Sequence, residues 1–579
     1  MRKEKIKKQK GITLIALIIT IIVLLILAGV SISVLTGKNG ILTKAQEAKN
    51  ETEAGRLKEE NDLALIEELI NSNISSTDGY NQTKGVNAPK ISTGSAISTG
   101  LIPLNWNGSK WVVCSEDNWI YNYSQNGTKQ WANAMASDGK YKKGEVLEGT
   151  EVEENELGSM FVWVPRYAYS INQYKTEKSA EGTTQGITNI EFLQGNTNKG
   201  SSGNTYATDY DVNSITTGSA TPMIVHPAFN FGGANLKGIW VAKFEASMTE
   251  QNNNTTANNN VEDKTIKILP NAESWRYITQ AKIFKNCLNM KNNNIYKFSS
   301  TTDTHQMKNS EWGAVTYLAV SQYGNTPTKN TSGSSYTENE IIKYRSFTGN
   351  GDYKTNVSQS TTGDITGIYD MNGGAWEYVA SYYANKDTNI SAYGGADIFP
   401  GDELDSKYSA YFDTYKTSDN EIINGQNAWN LKSTEGNKQQ AKFAYERVQL
   451  MKNTKGDAMY EAIKEWSYYG RYPGETTGIN EKGEQYTIPA SYNSMNWFKA
   501  TYDSNGNVTN TGETTVAYGI SYYNNDFTLV GTYYRPFLLR GGAWSDGSFA
   551  GVFACYGYGN ASSSIRFPSC GRVVALNLS

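Results

Sequence analysis

Residues 539–576 read LRGGAWSDGSFAGVFACYGYGNASSSIRFPSCGRVVAL, and the order of residue types in this stretch decides how the C-terminal part of the chain folds. Gly541 and Gly542 suit a turn that needs positive φ, a conformation glycine adopts without strain. Trp544 adds a large apolar surface, and its indole N–H needs an acceptor wherever it is buried. The same Gly-Gly-Ala-Trp string occurs earlier, inside Asn372-Gly373-Gly374-Ala375-Trp376-Glu377. Both strings read first as scaffold, which makes Asn372, Gly373, Trp376, Glu377, Arg540, Gly541, Gly542 and Trp544 structural residues. After Trp544 the composition changes. Ser545–Cys570 contains no Lys, Glu, Gln, Met or Trp, although these five types make up about a fifth of the chain. Phe553, between Ala550-Gly551-Val552 and Ala554, reads as core.

Working outward, aromatic-rich short runs alternate with polar turns from Leu101 onward. Strands are expected at Trp111–Cys114, Met160–Pro165, Gly238–Phe244, Ile368–Met371, Trp376–Tyr382 and Phe537–Arg540. Two helices are expected. In Ser310–Tyr323 the residues Trp312, Val315, Thr316, Ala319, Val320 and Tyr323 lie on one face, with Asn309 or Ser310 as the cap. Ser274–Met290 is the second. Few helices among many strands describe an α+β domain built to carry loops.

The chain has 579 residues, with 53 Lys+Arg against 57 Asp+Glu and a formal charge of -4. This balance excludes a nucleic-acid binder that relies on an overall basic charge. Cys114, Cys287, Cys555 and Cys570 form no CxxC pair, and His226 stands far from His305. A zinc site of the usual spacing is therefore excluded, and no metal or cofactor is expected. Four Cys are too sparse for a disulfide framework, and one bridge, Cys555–Cys570, stays open. Asp503-Ser-Asn-Gly-Asn507 resembles half a calcium loop but lacks a bidentate Glu, so a hairpin turn is expected there. No Glu-Pro-Asn or Gln-Pro-Asp sugar-binding triplet occurs, nor a Leu-Pro-x-Thr-Gly sorting signal.

The N-terminus divides into four parts. Residues 1–11 are a basic leader. Residues 12–35 form an apolar run long enough, at about 1.5 Å per residue, to cross a hydrocarbon core of about 30 Å. Residues 36–71 carry a helical stalk pattern, and 72–100 are a Ser/Thr/Gly-rich linker. Basic residues stay on the cytoplasmic side, which places everything after Leu35 outside. The junction Lys10-Gly11-Ile12-Thr13-Leu14-Ile15 resembles a type IV prepilin. That resemblance implies peptidase cleavage between Gly11 and Ile12, and contacts with prepilin peptidase and other pilin-like subunits. The family's Glu is absent, because Ala16 stands there.

Four motifs occur in order: Phe161-Val-Trp-Val-Pro-Arg-Tyr167, Asn309-Ser-Glu-Trp312-Gly-Ala314, Tyr369-Asp-Met-Asn-Gly-Gly-Ala-Trp-Glu377 and Leu539-Arg-Gly-Gly-Ala-Trp544. Together they resemble the formylglycine-generating-enzyme (sulfatase-modifying-factor) domain, a variant of the C-type lectin fold, spread over 101–579 with insertions. Enzymes of that family hold copper with two Cys just after the second Gly-Gly turn. Here Asp546 and Gly551 occupy those places, and neither offers the soft thiolate that Cu(I) needs. A shifted pair, Cys555 with Cys570, stays open. No enzyme is expected.

The tail also resembles the variable segment of proteins diversified by diversity-generating retroelements, through Arg540–Trp544, Ala550–Ala554 and a looser close at Gly571-Arg572. Randomised template adenines turn AAC and AAT codons into NNC or NNT, which cannot encode Lys, Glu, Gln, Met or Trp. The resemblance implies a variable region at about 543–570. Its ligand-binding residues would be Ser545, Asp546, Ser548, Phe549, Tyr556, Tyr558, Asn560, Ser562, Ser564, Arg566, Phe567 and Ser569. Tyr offers rigid amphipathic area there, while Ser and Gly adapt their hydrogen bonding. The expectation is a bacterial, single-pass membrane protein whose extracellular C-type-lectin-like domain binds a protein or glycan ligand. A fixed adhesin or minor pilin on the same fold is the alternative, and a formylglycine-generating-type oxidase the third reading.

Overall fold

The computed structural model describes residues 80–81, 85–89, 100–123, 129–172, 188–215, 219–248, 261–338, 341–384, 395, 397–400, 403–416, 454–459, 461, 463–469, 477–479, 485–487, 516–521, 527–530, 537–547, 550–559 and 569–577. All of them belong to one compact unit, Thr77–Ser579. The leader, residues 12–35, the Gly11–Ile12 junction and the stalk lie outside the described residues. Among the described residues no helix is long and apolar enough to cross a membrane.

The described body is α+β, mostly strands with few helices. The elements that frame the tail are β1 (Ile102–Trp106), β2 (Trp111–Val113), β3 (Asn133–Met135), β4 (Glu151–Val152), β5 (Met160–Pro165), β6 (Gly238–Ala242), α1 (Gln280–Asn289), β7 (Thr302–Gln306) and α2 (Asn309–Ala319). They continue with β8 (Trp376–Ala384), β9 (Asp413–Lys416), β10 (Ile463–Tyr469), β11 (Val516–Ser521), β12 (Phe527–Val530), β13 (Phe537–Gly541), β14 (Gly551–Gly559), β15 (Ser569–Gly571) and β16 (Val573–Asn577).

Two sheets organise these strands. The first runs β7-β16-β6-β5-β3-β1-β2-β4, all neighbours antiparallel. Its central strands β5 and β6 are apolar and buried along their whole length, as are Val573–Leu576 of β16. Strands covered on both faces lose the polar alternation that a half-exposed strand shows. The second sheet runs β9-β8-β13-β14-β12-β11-β10, with β15 added in parallel beside β8. The tail thus leaves from the second sheet at β13 and β14 and ends inside the first as β16.

The sequence-based expectations hold for five strands and shift elsewhere for physical reasons. Ile368–Met371 is irregular, because Asp370 takes a φ of 63° and turns its carboxylate onto the Gly349 N–H at 2.9 Å. The helix expected at Ser274–Met290 begins only at Gln280, since Tyr277 sits at a φ of 61°. α2 spans Asn309–Ala319 and its cap is Lys308, not Asn309 or Ser310. Asp413 explains the difference: its Oδ2 accepts from the Ser310 N–H at 2.7 Å, doing from another strand what a cap side chain does locally. All eleven residues of α2 are buried, so the expected single apolar face understates a helix that is packed on every side.

Part of the expected linker is also folded. Val86 and Ala88 lie in the core, and Asn87 Nδ2 donates to Gly195 O and Lys237 O at 2.8 and 2.7 Å. Residues 85–89 therefore belong to the body rather than to the spacer expected over 72–100.

Candidate functional site

The two Gly-Gly turns pair with each other. Gly373 N donates to Gly541 O at 3.1 Å and Trp544 N to Gly374 O at 2.9 Å. All four glycines have φ between 75° and 85°. At Gly542 a Cβ would also meet the Ala550 Cα at 2.4 Å, so only glycine fits there. Trp312 reaches up from α2, and its Nε1 donates to Val552 O at 2.8 Å, tying the buried helix to β14. Asn372 Nδ2 donates to Pro327 O at 2.9 Å.

Arg540 and Arg572 anchor the two ends of the tail. Arg540 is fully buried and lies 5.6 Å from the Trp312 ring. It donates from Nη1 to Asn309 Oδ1 and Asp457 O, both at 2.9 Å, and from Nη2 to Ala458 O at 3.2 Å. Beside it, burial and the neighbouring Glu461 push the Asp457 carboxyl up to about 8, against the pull of Arg540. Glu461 is itself held by three tyrosines: Tyr317 OH at 2.6 Å, Tyr169 OH at 2.8 Å and Tyr210 OH at 3.1 Å. Arg572 forms a bidentate pair with Glu377, Nη2 to Oε1 at 2.6 Å and Nε to Oε2 at 3.0 Å. Its remaining donors go to Ala242 O and Tyr369 O at 2.9 and 3.0 Å. Glu245 and Asp370 lie close by, and burial raises both carboxyls.

Between these anchors the positions expected to bind ligand differ in exposure. Ser545 is exposed, whereas Asp546 and Tyr556 are half-buried. Asp546 has a scaffold role as well: its Oδ2 accepts from Trp376 Nε1 at 2.8 Å and from the Ala543 N–H at 3.0 Å. This is the acceptor that the buried indole required. The Tyr556 ring lies 5.4 Å from that of Trp376. Lys329 Nζ donates to Asp546 O at 3.3 Å, and Gly333 lies flat against the Trp544 ring, where a Cβ would come within 2.4 Å. Tyr558 and Ser569 fall in β14 and β15. Ser548, Phe549, Asn560, Ser562, Ser564, Arg566 and Phe567 lie outside the described residues. Phe553 is fully buried, as expected of core.

The cysteines are all free and buried. One row across the second sheet pairs Cys555 with Arg540, Arg540 with Glu377, and Glu377 with Cys570. Three strand spacings separate the two thiols by about 14 Å, twice the Cα separation of about 7 Å that a disulfide tolerates. The bridge left open by the sequence therefore does not form, and the two sulfurs cannot share one copper ion. Among the described residues no group of three His, Cys, Asp or Glu is placed to hold a metal.

Sequence reasoning missed the segment 454–461, which supplies Asp457, Ala458 and Glu461 to the Arg540 hub. It carries no motif, since two of its contacts to Arg540 are made by backbone carbonyls. Lys329 and Gly333, which brace the first exposed turn, were also missed. No protein-family profile matches the chain, and no curated protein sequence matches it.

Proposed function

We propose that this chain is a surface-displayed ligand-binding protein in which a C-type-lectin-like scaffold of the formylglycine-generating-enzyme type presents a variable region at about 543–570. A retroelement diversifies that region, and recognition is non-covalent rather than catalytic. The observation that carries the reading is the division inside the tail: Arg540, Gly541, Gly542, Cys570 and Arg572 are buried, while Ser545 and Gly547 between them are exposed. A frame of this kind tolerates replacement of its outward residues, because surface changes away from packed features alter stability little. The ligand is a protein or a glycan met at the cell surface. Residues 12–35 anchor the chain in the membrane after cleavage between Gly11 and Ile12.

Deep sequencing of the gene's 3′ end and its flanking DNA tests the proposal. Substitutions clustered at the codons of Ser545–Cys570, beside an adenine-rich near-copy, are expected. A uniform sequence with no near-copy would overturn diversification and leave a fixed adhesin on the same fold. Mass spectrometry of the mature N-terminus tests the anchor: a chain starting at Ile12 supports processing, and an intact Met1 opposes it.

A further inference from the structure

The Glu245 carboxyl packs against the first of the two paired Gly-Gly turns. Its Oε1 accepts from the Ala375 N–H at 2.8 Å, and a Cβ on Gly374 would come within 2.4 Å of the same oxygen. Gly374 O in turn accepts from the Trp544 N–H at 2.9 Å, while Gly373 N donates to Gly541 O at 3.1 Å. One carboxyl oxygen therefore supports the turn that holds Gly541 and Trp544, next to exposed Ser545.

The charges around Glu245 do not balance. It shares a fully buried cluster with Asp370, Glu377, Cys570 and Arg572, the titratable groups that face it. Arg276, which donates to Ser274 O, is paired with Glu273. Three carboxyls thus meet one guanidinium. Among the described residues no ion pair reaches Glu245 or Asp370, since Arg572 is bonded to Glu377. Ionising all three would set three negative charges against one positive in the interior, a cost that proteins avoid by retaining a proton.

Hydrogen bonding shows which oxygen keeps that proton. Both Glu377 oxygens accept from Arg572. Asp370 Oδ1 accepts from Asn330 Nδ2 at 2.7 Å and the Gly349 N–H at 2.9 Å, and its Oδ2 from the Gly349 and Glu245 N–H groups at 3.2 and 3.5 Å. All of these are N–H donors, which fit a carboxylate and leave nothing to receive a proton. Glu245 Oε2 instead meets the Ser274 hydroxyl, which can accept as well as donate. Burial first, then the Asp370 and Glu377 charges, raise the Glu245 carboxyl well above its ordinary value.

We infer that Glu245 stays a carboxylic acid in the folded protein, its Oε2–H donated to Ser274 Oγ, and that this proton latches the paired Gly-Gly turns. Losing it places a third negative charge beside Asp370 and Glu377. Opening Gly373–Ala375 admits water to that charge, and the same movement releases Gly541 and Trp544. The folded state holds the proton more tightly than the unfolded chain. Its contribution is therefore present in full below the ordinary value of 4.5 and disappears as pH rises through the raised one. The latch is independent of what the tail binds.

Hydrogen–deuterium exchange of the full-length chain between about pH 6 and pH 10 tests this, corrected for intrinsic exchange and read in peptides covering 373–376 and 541–544. Protection there is expected to fall at least about tenfold more than in β5. Glu245→Gln, whose amide can donate to Ser274 and accept from Ala375, should keep the protection and abolish that extra loss. Ser274→Ala removes the proton's acceptor and should lower the midpoint of the loss by about one pH unit, equivalent to one hydrogen bond. It carries the test if Glu245→Gln does not fold. No loss beyond that of β5, or an equal loss in Glu245→Gln and the unaltered chain, would overturn the inference. So would a midpoint that Ser274→Ala raises or leaves unmoved.

Discussion

Arg540 and Arg572 flank the same stretch of the tail and both are buried, yet their direct hydrogen-bond acceptors differ in charge. Arg540 donates to neutral acceptors, Asn309 Oδ1 and the carbonyls of Asp457, Ala458 and Val552, with the Trp312 ring beside it. Arg572 faces three buried carboxyls, Glu377 in a bidentate pair and Glu245 and Asp370 nearby. A guanidinium among neutral acceptors arranges geometry. One among carboxyls is also the charge that keeps them tolerable in a low-dielectric interior. The start of the stretch between the two arginines is therefore held by neutral hydrogen bonds, and its end by charge.

The largest expected effect tests the charged end. Arg572→Met removes the ion-pair partner of Glu377 and should destabilise the fold by about 3–5 kcal/mol in urea unfolding. Arg572→Lys keeps the charge but not the two-pronged geometry, and should fall between the two.

Titration sharpens the same contrast. His305 lies in β7 beside β16, bonded to Asp303 at 2.9 Å and Glu311 at 3.1 Å. Burial pulls its pKa down, but the Glu311 charge and the Asp303 hydrogen bond outweigh this and lift it to about 9. The folded state holds this proton more tightly than the unfolded chain. Its contribution is thus fully present below the ordinary value of 6.5 and is lost as pH rises through about 9. Unfolding free energy should fall by something on the order of 3 kcal/mol between about pH 6 and pH 10. His305→Gln should flatten that slope. Asp457, raised to about 8, adds a loss of the same sign between its ordinary value and pH 8.

Arg540→Met should cost less than Arg572→Met, about 1–3 kcal/mol, because it leaves carbonyls unpaired rather than carboxylates. Equal costs at the two ends would break the comparison. Asp546→Ala takes the acceptor from Trp376 Nε1 and should cost about 1 kcal/mol, with a change in tryptophan fluorescence, whereas Asp546→Asn retains most of the stability. Ser545→Tyr, at the exposed position, should stay within about 0.5 kcal/mol.

How much of this was legible in the residues differs from place to place. The Gly-Gly-Ala-Trp strings announced two positive-φ turns, and all four glycines take that conformation. Phe553 announced core. The apolar runs Met160–Pro165 and Gly238–Phe244 announced strands, since a fully covered strand needs no polar alternation. The requirement that a buried indole find an acceptor was also readable, but not that Asp546 would provide it.

By itself the sequence determined the local matters: α+β class, the two Gly-Gly turns, five of the strand positions and the residue types available between Trp544 and Arg572. These follow from backbone sterics and side-chain burial, which act over a few residues. Tertiary structure alone decided which groups meet. It brought Asp457 and Ala458 to Arg540, gave Asp413 the task of satisfying the first turn of α2, and set Cys555 and Cys570 too far apart to bridge. Such meetings depend on strand order and register in two sheets, and those are fixed by packing between distant segments rather than by the residues adjoining each site.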